Sequence, residues 1–289
     1  MKHIAIVGTE GSGKTVFITV LAKHYSNAGE RDIFFNPLGK TIRFVENAWN
    51  RLQAGQWPEQ TISGEVFTYE WECRFGQGDS FQLKLVDCAG QDLRRIFSDE
   101  VPEQLRPLAE YVQSAQVVLF LLNLGDFVGV RDANQVTENI YALKNAMDTL
   151  KASGKEAALV LTQTDLYEHL LKQHSSWLEV VRMTPPLGLL WGAHLRDGSV
   201  PLFPVSAVVE TTVASQPDGR VRRVPAESFK SQGMDLLGNW LITAAKRARE
   251  PEPPREDKVR VINPTGKRGR IPASQLTEAL QQGYNLESQ

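Results

Sequence analysis

The octet Gly8-Thr9-Glu10-Gly11-Ser12-Gly13-Lys14-Thr15 constrains the fold of this chain more than any other stretch. It fits G-x-x-x-x-G-K-[ST], a loop that cradles phosphate. Before it, His3-Ile4-Ala5-Ile6-Val7 reads as a short buried strand, and residues 16–25 after it read as a helix. A strand, a tight glycine turn and a helix start are the context that the loop needs. Glycines let backbone N–H groups turn inward on a phosphate. The helix N-terminus adds a partial positive charge. Lys14 has the reach for terminal phosphates, and the Thr15 hydroxyl can ligate Mg²⁺. Gly8, Glu10, Gly11, Ser12 and Gly13 complete the expected phosphate-side contacts.

Apolar residues then recur at steps of three and four through Ile42, Val45, Trp49 and Leu52, which predicts an amphipathic helix over residues 41–54. Asn36-Pro37 and Gly55 punctuate its ends. Residues 65–75 alternate as a strand, residues 76–79 are a turn, and residues 81–86 alternate again. Together they predict a hairpin. It delivers Asp87-Cys88-Ala89-Gly90-Gln91. An Asp ending an apolar strand can hold Mg²⁺, usually through water, and the following Gly can offer its N–H to a γ-phosphate.

That element, behind the phosphate loop, strongly resembles the D-x-A-G-Q signature of Ras-like small GTPases. The resemblance implies that Gln91 orients an attacking water, that Gly90 contacts the γ-phosphate, and that Asp87 stands behind Mg²⁺. It also implies a threonine ahead of the hairpin that binds Mg²⁺ and the γ-phosphate. Thr61, in Trp57-Pro58-Glu59-Gln60-Thr61, takes that place, with Thr41 and Thr68 as rivals on a helix and inside a strand. Residues 91–113 would form the second switch and its helix. Arg94 and Arg95 follow the Gln closely and are candidates to meet a phosphate or a partner, with solvated helix residues the favoured reading.

Residues 116–123 are apolar without alternation, as in a central parallel strand. A helix follows over 133–150, with Val136, Ile140, Leu143 and Met147 on one face and Gly154 at its end. Residues 157–161 form another buried strand and lead into Thr162-Gln163-Thr164-Asp165. This resembles the [NT]-K-x-D base-recognition motif of the same family. The Asp165 carboxylate would accept hydrogen bonds from N1–H and the 2-amino group of guanine. Adenine lacks that donor pair. Gln163 departs from the pattern, since the family's lysine lies over the base and steadies the phosphate loop; weaker affinity is expected. A strand over 200–205 ends in Ser206-Ala207, which resembles the family's short S-A base contact. Residues 208–229 are an insertion with a turn at Gln216-Pro217-Asp218-Gly219, read as a β-hairpin arm, and 234–247 is a last amphipathic helix.

Composition changes at residues 250–257, a Pro-rich charged linker. The expected division is therefore a G domain over 1–249, the linker over 250–257, and a small module over 258–289. The module reads as two short strands, a turn and a helix. It is too small to build much of a core, and it is a candidate docking element for its own domain or for a partner. Lys258, Arg260, Lys267, Arg268 and Arg270 make it locally basic, which a solvated hairpin explains better than nucleic acid.

Net charge is −2, so no global field draws the chain to nucleic acid or membrane. The two cysteines, Cys73 and Cys88, have no metal spacing and read as buried thiols, which fits a reducing, cytoplasmic setting. A strand at the N-terminus leaves no room for a leader, no apolar run is long enough to span a bilayer, and lipid-anchor signals are lacking.

The expected fold is α/β: a P-loop GTPase G domain with a six-stranded, mostly parallel sheet, one antiparallel hairpin strand, helices on both faces and a small C-terminal extension. The resemblance spans residues 1–250. It implies a switch that binds GTP and GDP with Mg²⁺ (Thr15, Thr61, Asp87), uses Lys14, Thr61 and Gln91 in slow hydrolysis, and signals to a protein effector or activator. Glu10, where Ras-type members carry Gly, puts a Ras-style arginine finger in doubt. With Gln163 it also motivates an alternative, a nucleotide-binding scaffold with little turnover. A P-loop ATPase or kinase is a third reading, disfavoured by Asp165 and by the element around Gln91.

Overall fold

The computed structural model describes residues 2–8, 11–26, 33–59, 66–75, 79–88, 93–96, 100–128, 133–215, 221–247, 258–262, 264–265, 268–272, 276–282 and 285–286. The chain divides into two compact units, Met1–Ala248 and Arg249–Gln289.

The first unit runs β1 (Lys2–Gly8), α1 (Lys14–His24), β2 (Ile33–Pro37), α2 (Lys40–Gln53), β3 (Val66–Phe75), β4 (Asp79–Cys88), α3 (Leu93–Ile96), α4 (Arg106–Ser114), β5 (Val117–Asn123) and α5 (Ala133–Ala152). It continues with β6 (Glu156–Thr162), a 3₁₀ segment (Thr164–Lys172), α6 (Trp177–Met183), α7 (Pro185–Leu190), a π-helical turn (Trp191–Leu195), β7 (Leu202–Val205), β8 (Thr211–Ser215), β9 (Val221–Pro225) and α8 (Met234–Arg247). The main sheet has the order β2-β3-β4-β1-β5-β6-β7. Only β3 runs against its neighbours; β4, β1, β5, β6 and β7 are mutually parallel.

The sheet therefore has seven strands, not the expected six. The added strand, β2, pairs antiparallel with the outer edge of β3, from Ile33 opposite Phe75 to Pro37 opposite Trp71. Its apolar part is short, and Asn36-Pro37 reads locally as a helix boundary. A proline is tolerated there because the strand is at the sheet edge.

The parallel centre is buried on both faces, which explains its continuous apolar sequence. Val117 to Leu122 are at most 1% exposed. Alternate residues serve opposite layers. Ala5, Val7, Val118, Phe120, Leu122, Leu159 and Leu161 pack with α4, α5, α6 and α7. Ile4, Ile6, Val117, Leu119, Leu121, Ala158 and Val160 pack with α1, α2 and α8. Burying one such Leu or Ile side chain contributes about 1.5–3 kcal/mol, so the two layers fix the register of every central strand. This places the C-terminal ends of β1, β5, β6 and β7 along one rim, where a doubly wound sheet binds its ligand.

The second unit has β10 (Lys258–Ile262), β11 (Arg268–Pro272), α9 (Leu276–Gln281) and β12 (Asn285–Leu286). Its sheet order is β11-β10-β12, antiparallel throughout. The two-residue strand β12 carries too little pattern to be read from sequence.

Candidate nucleotide site

The glycine loop leaves β1 at Gly8, which is pressed against β5. A Cβ on Gly8 would collide with the Leu121 carbonyl oxygen and stand 2.9 Å from Ser12 Oγ. Gly11 and Gly13 take φ values of +72° and +76°, which L side chains rarely adopt. Gly13 caps α1 without a side-chain hydrogen bond, and the first turn of α1 has no acidic residue. The helix dipole there is thus left for an anion from outside the helix. Lys14 is 7% exposed and donates from Nζ to the Gly8 carbonyl at 3.3 Å, so its ammonium is held on the loop's own floor. Ser12 is fully buried and its hydroxyl has no hydrogen-bond partner among the described residues.

The segment after β6 is fastened directly to this loop. Thr162 Oγ1 lies 2.9 Å from the Ser12 carbonyl and 3.2 Å from that of Leu122. Gln163 has φ +59°, the one positive value among described non-glycine residues. Its Nε2 donates to the Gly11 carbonyl at 3.2 Å. A neutral amide here makes the tie that the family's lysine is expected to supply. Ser206, buried at the end of β7, organises the rest. Its hydroxyl accepts the Asp165 N–H at 2.9 Å and lies 3.1 Å from the Thr164 hydroxyl. The structure thus joins Gly8, Gly11, Ser12, Gly13 and Lys14 with Thr162, Gln163, Asp165 and Ser206 on one rim. Thr15 follows on α1 and half-buried Ala207 follows Ser206.

Asn123 ends β5 on the same rim and was not singled out in the sequence. Its side chain accepts the Gly125 N–H at 2.9 Å. The Asn-x-Gly-Asp order at a strand end is the signal that marks it. Thr41, one rival for the switch position, is buried and accepts the Glu70 N–H at 2.8 Å, which is a structural role. Thr68 lies within β3 opposite Val86. Thr61, Glu10, Gly90 and Gln91 lie outside the described residues, as do the side chains of Asp87, Cys88 and Arg94. The Asp87 backbone sits near the end of β4, opposite Phe67. Arg95 is exposed on α3. Cys73 is a buried free thiol, and burial raises its pKa well above the usual value.

The family model for double-GTPase 1 matches residues 5–187, more than half of the 289-residue chain. The chain belongs to the double-GTPase 1 family. It is a P-loop GTPase-domain protein, and this membership supports binding of GTP. The G domain of the T. maritima FeoB iron transporter is similar in structure at 13% identity and a TM-score of 0.38, with 85% of this chain and 99% of that one covered. A comparison with curated proteins found no match. Among the described residues no helix is long and apolar enough to cross a membrane.

Among the described residues, Thr15 at the start of α1 carries a hydroxyl oxygen of the kind that a hard divalent cation accepts, and the loop offers the N–H groups of Gly11, Ser12 and Gly13 and the Lys14 ammonium to phosphate.

Proposed function

We propose that this protein binds guanine nucleotide, hydrolyses GTP slowly to GDP and reports the bound state to a protein partner. The observation that carries the reading is the double tie of Thr162 and Gln163 to the carbonyls of Ser12 and Gly11, with Ser206 holding Asp165. It joins a phosphate loop to a carboxylate suited to the N1–H and 2-amino edge of guanine. Lys14 and the loop amides hold the phosphates. Thr15, Asp87 and Thr61 would hold Mg²⁺, which supplies charge neutralisation at the β- and γ-phosphates when bound. By resemblance to Ras-like members, Gln91 orients the attacking water. The γ-phosphate then fastens two switch segments, and its loss releases them to change the surface that a partner reads. We place this activity in the cytoplasm.

Gln163 favours one other reading, a scaffold that binds nucleotide without turnover, because its tie carries no charge. Phosphate release from GTP by the purified full chain separates the two. The switch reading expects slow release that Gln91→Leu and Lys14→Ala reduce severalfold or more. Bound guanine nucleotide with no release in any of the three proteins supports the scaffold. Turnover unchanged by both substitutions overturns the assignment of Gln91 and Lys14.

A further inference from the structure

Helix α1 begins at the phosphate loop, and its far end meets the start of α8. Tyr25, the C-cap of α1, is 1% exposed. Its hydroxyl donates to the carbonyl of Met234, the first residue of α8, at 3.0 Å. The rest of Tyr25 is fixed from β2: its carbonyl accepts the Phe35 N–H at 3.0 Å, and its ring packs on Phe35 with centroids 5.1 Å apart. Beside it, His24 Nε2 lies 2.9 Å from Asp235 Oδ1, although this contact, open to solvent on the Asp235 side, adds little. Gly238 stands one turn into α8, where glycine is a poor helix former. A Cβ there would collide with the Tyr25 hydroxyl and stand 2.5 Å from Cζ. The hydroxyl therefore takes the room that a side chain on α8 would fill.

The pinned carbonyl lies two peptide units from the base side of the site. Gly233 precedes Met234 with φ +81°, and a Cβ on it would collide with the Pro204 carbonyl oxygen. Before it, Gln232 exchanges both backbone hydrogen bonds with Ser206, at 3.0 and 2.8 Å. Ser206 depends on that exchange. The β6–β7 ladder ends one residue earlier, at Val205 opposite Thr162. Beyond Ser206 the chain leaves the sheet for the β8–β9 hairpin, the arm expected from the sequence, and returns only at Gln232. The Ser206 hydroxyl in turn accepts the Asp165 N–H.

We propose that Tyr25 is a positioning residue for base recognition: its hydroxyl pins the start of α8, which sets Gln232, Ser206 and, through them, the Asp165 carboxylate. This inference rests on the guanine reading of Asp165. One helix then serves both ends of the nucleotide, its start at the phosphates and its end at the base. Guanine offers Asp165 two donors, N1–H and the 2-amino group; the hypoxanthine of inosine diphosphate offers N1–H alone. The preference for GDP over inosine diphosphate therefore reads the placement of Asp165, and the phosphates, common to both ligands, drop out.

The test is binding of GDP and of inosine diphosphate, both with Mg²⁺, to the purified full chain, Tyr25→Phe, Ser206→Ala and the double variant. Phenylalanine keeps the ring and removes only the hydroxyl. Wild type should prefer GDP by about tenfold or more, the effect of one hydrogen bond to a carboxylate. Tyr25→Phe should cut that preference about threefold, since a displaced carboxylate keeps part of the bond. The double variant should match Ser206→Ala alone, because Tyr25 acts through Ser206. A preference unchanged in Tyr25→Phe, whether or not both affinities or the stability fall, would mean a merely structural role and overturn the proposal. So would a double variant that loses a further factor of about three beyond Ser206→Ala, the mark of independent action. A wild-type chain that binds neither nucleotide, or both equally, would instead sink the guanine reading, and the positioning role with it.

Discussion

Gln163 offers a test in which two effects of one residue can be separated. Its backbone is in the left-handed region, which costs a non-glycine residue about 1–2 kcal/mol. Its side chain compensates by donating to Gly11 O at 3.2 Å, an exposed bond between the base segment and the phosphate loop. Such a bond contributes about 1 kcal/mol. Gln163→Ala removes the bond and keeps the strain. Gln163→Gly removes the bond and relieves the strain, at an entropic cost of about 0.4–1 kcal/mol. Glycine should therefore exceed alanine in stability by about 0.5–1 kcal/mol, or about 1–4 °C in melting temperature for a unit of this size. Both variants lose the brace between the two halves of the site, so both should bind GDP about fivefold more weakly. Gln163→Lys keeps a donor and should keep the affinity. The assays are thermal melting and GDP titration on the same samples. An alanine variant that melts above the glycine variant refutes the strain. Wild-type GDP affinity in both refutes the brace.

Two further outcomes follow from buried polar groups. Ser206→Ala strips the Asp165 N–H and the Thr164 hydroxyl of a shared partner, which should cost about 1–2 kcal/mol in a urea titration and lower GDP affinity; no change in either would show that Ser206 does not hold the base segment. His194, in the π-helical turn, is 1% exposed and sits 3.3 Å from Asp148 on α5. Burial pushes its pKa below the ordinary value; the Asp148 charge and the Lys144 carbonyl oppose that, while the Lys144 and Lys151 charges assist it. The unfolded chain then takes up the proton first, so stability should be level above about pH 6.5 and fall below it until the folded-state pKa is reached. Melts from pH 8 to 5 should show that slope, and His194→Gln should flatten it.

The centre of the fold was legible because its strands are buried on both faces and read as unbroken apolar runs. Helices α2, α5 and α8 were legible because each carries an apolar stripe at helical spacing, whereas α1, buried continuously from Phe17 to Ala22, was legible from its place behind the glycine loop. Strand β2 was not, because three apolar residues ahead of Asn36-Pro37 carry no period and gain their partners only from β3, some forty residues on. The stretch from Thr164 to Leu195 broke no rule but matched none. It is a 3₁₀ segment, two short helices and a π-helical turn, too brief for a helical period to emerge. In the site, residue types at fixed spacing announced the loop and Asp165. The ties between them did not, because Gln163 to Gly11 and Ser206 to Asp165 join residues 152 and 41 positions apart. Gln163 looked like a loss against the family pattern; its geometry shows an amide making a brace of its own.

The most direct test of the guanine-nucleotide reading is competition for the site on the purified full chain. Bound fluorescent GDP is challenged with unlabelled GTP and with ATP, wild type beside Asp165→Ala. Displacement by GTP and not by ATP, with GDP binding lost or much weakened in Asp165→Ala, is the predicted result. Equal displacement by ATP, or an alanine variant that binds GDP like wild type, would contradict the reading of the rim that joins Gly8 to Ser206.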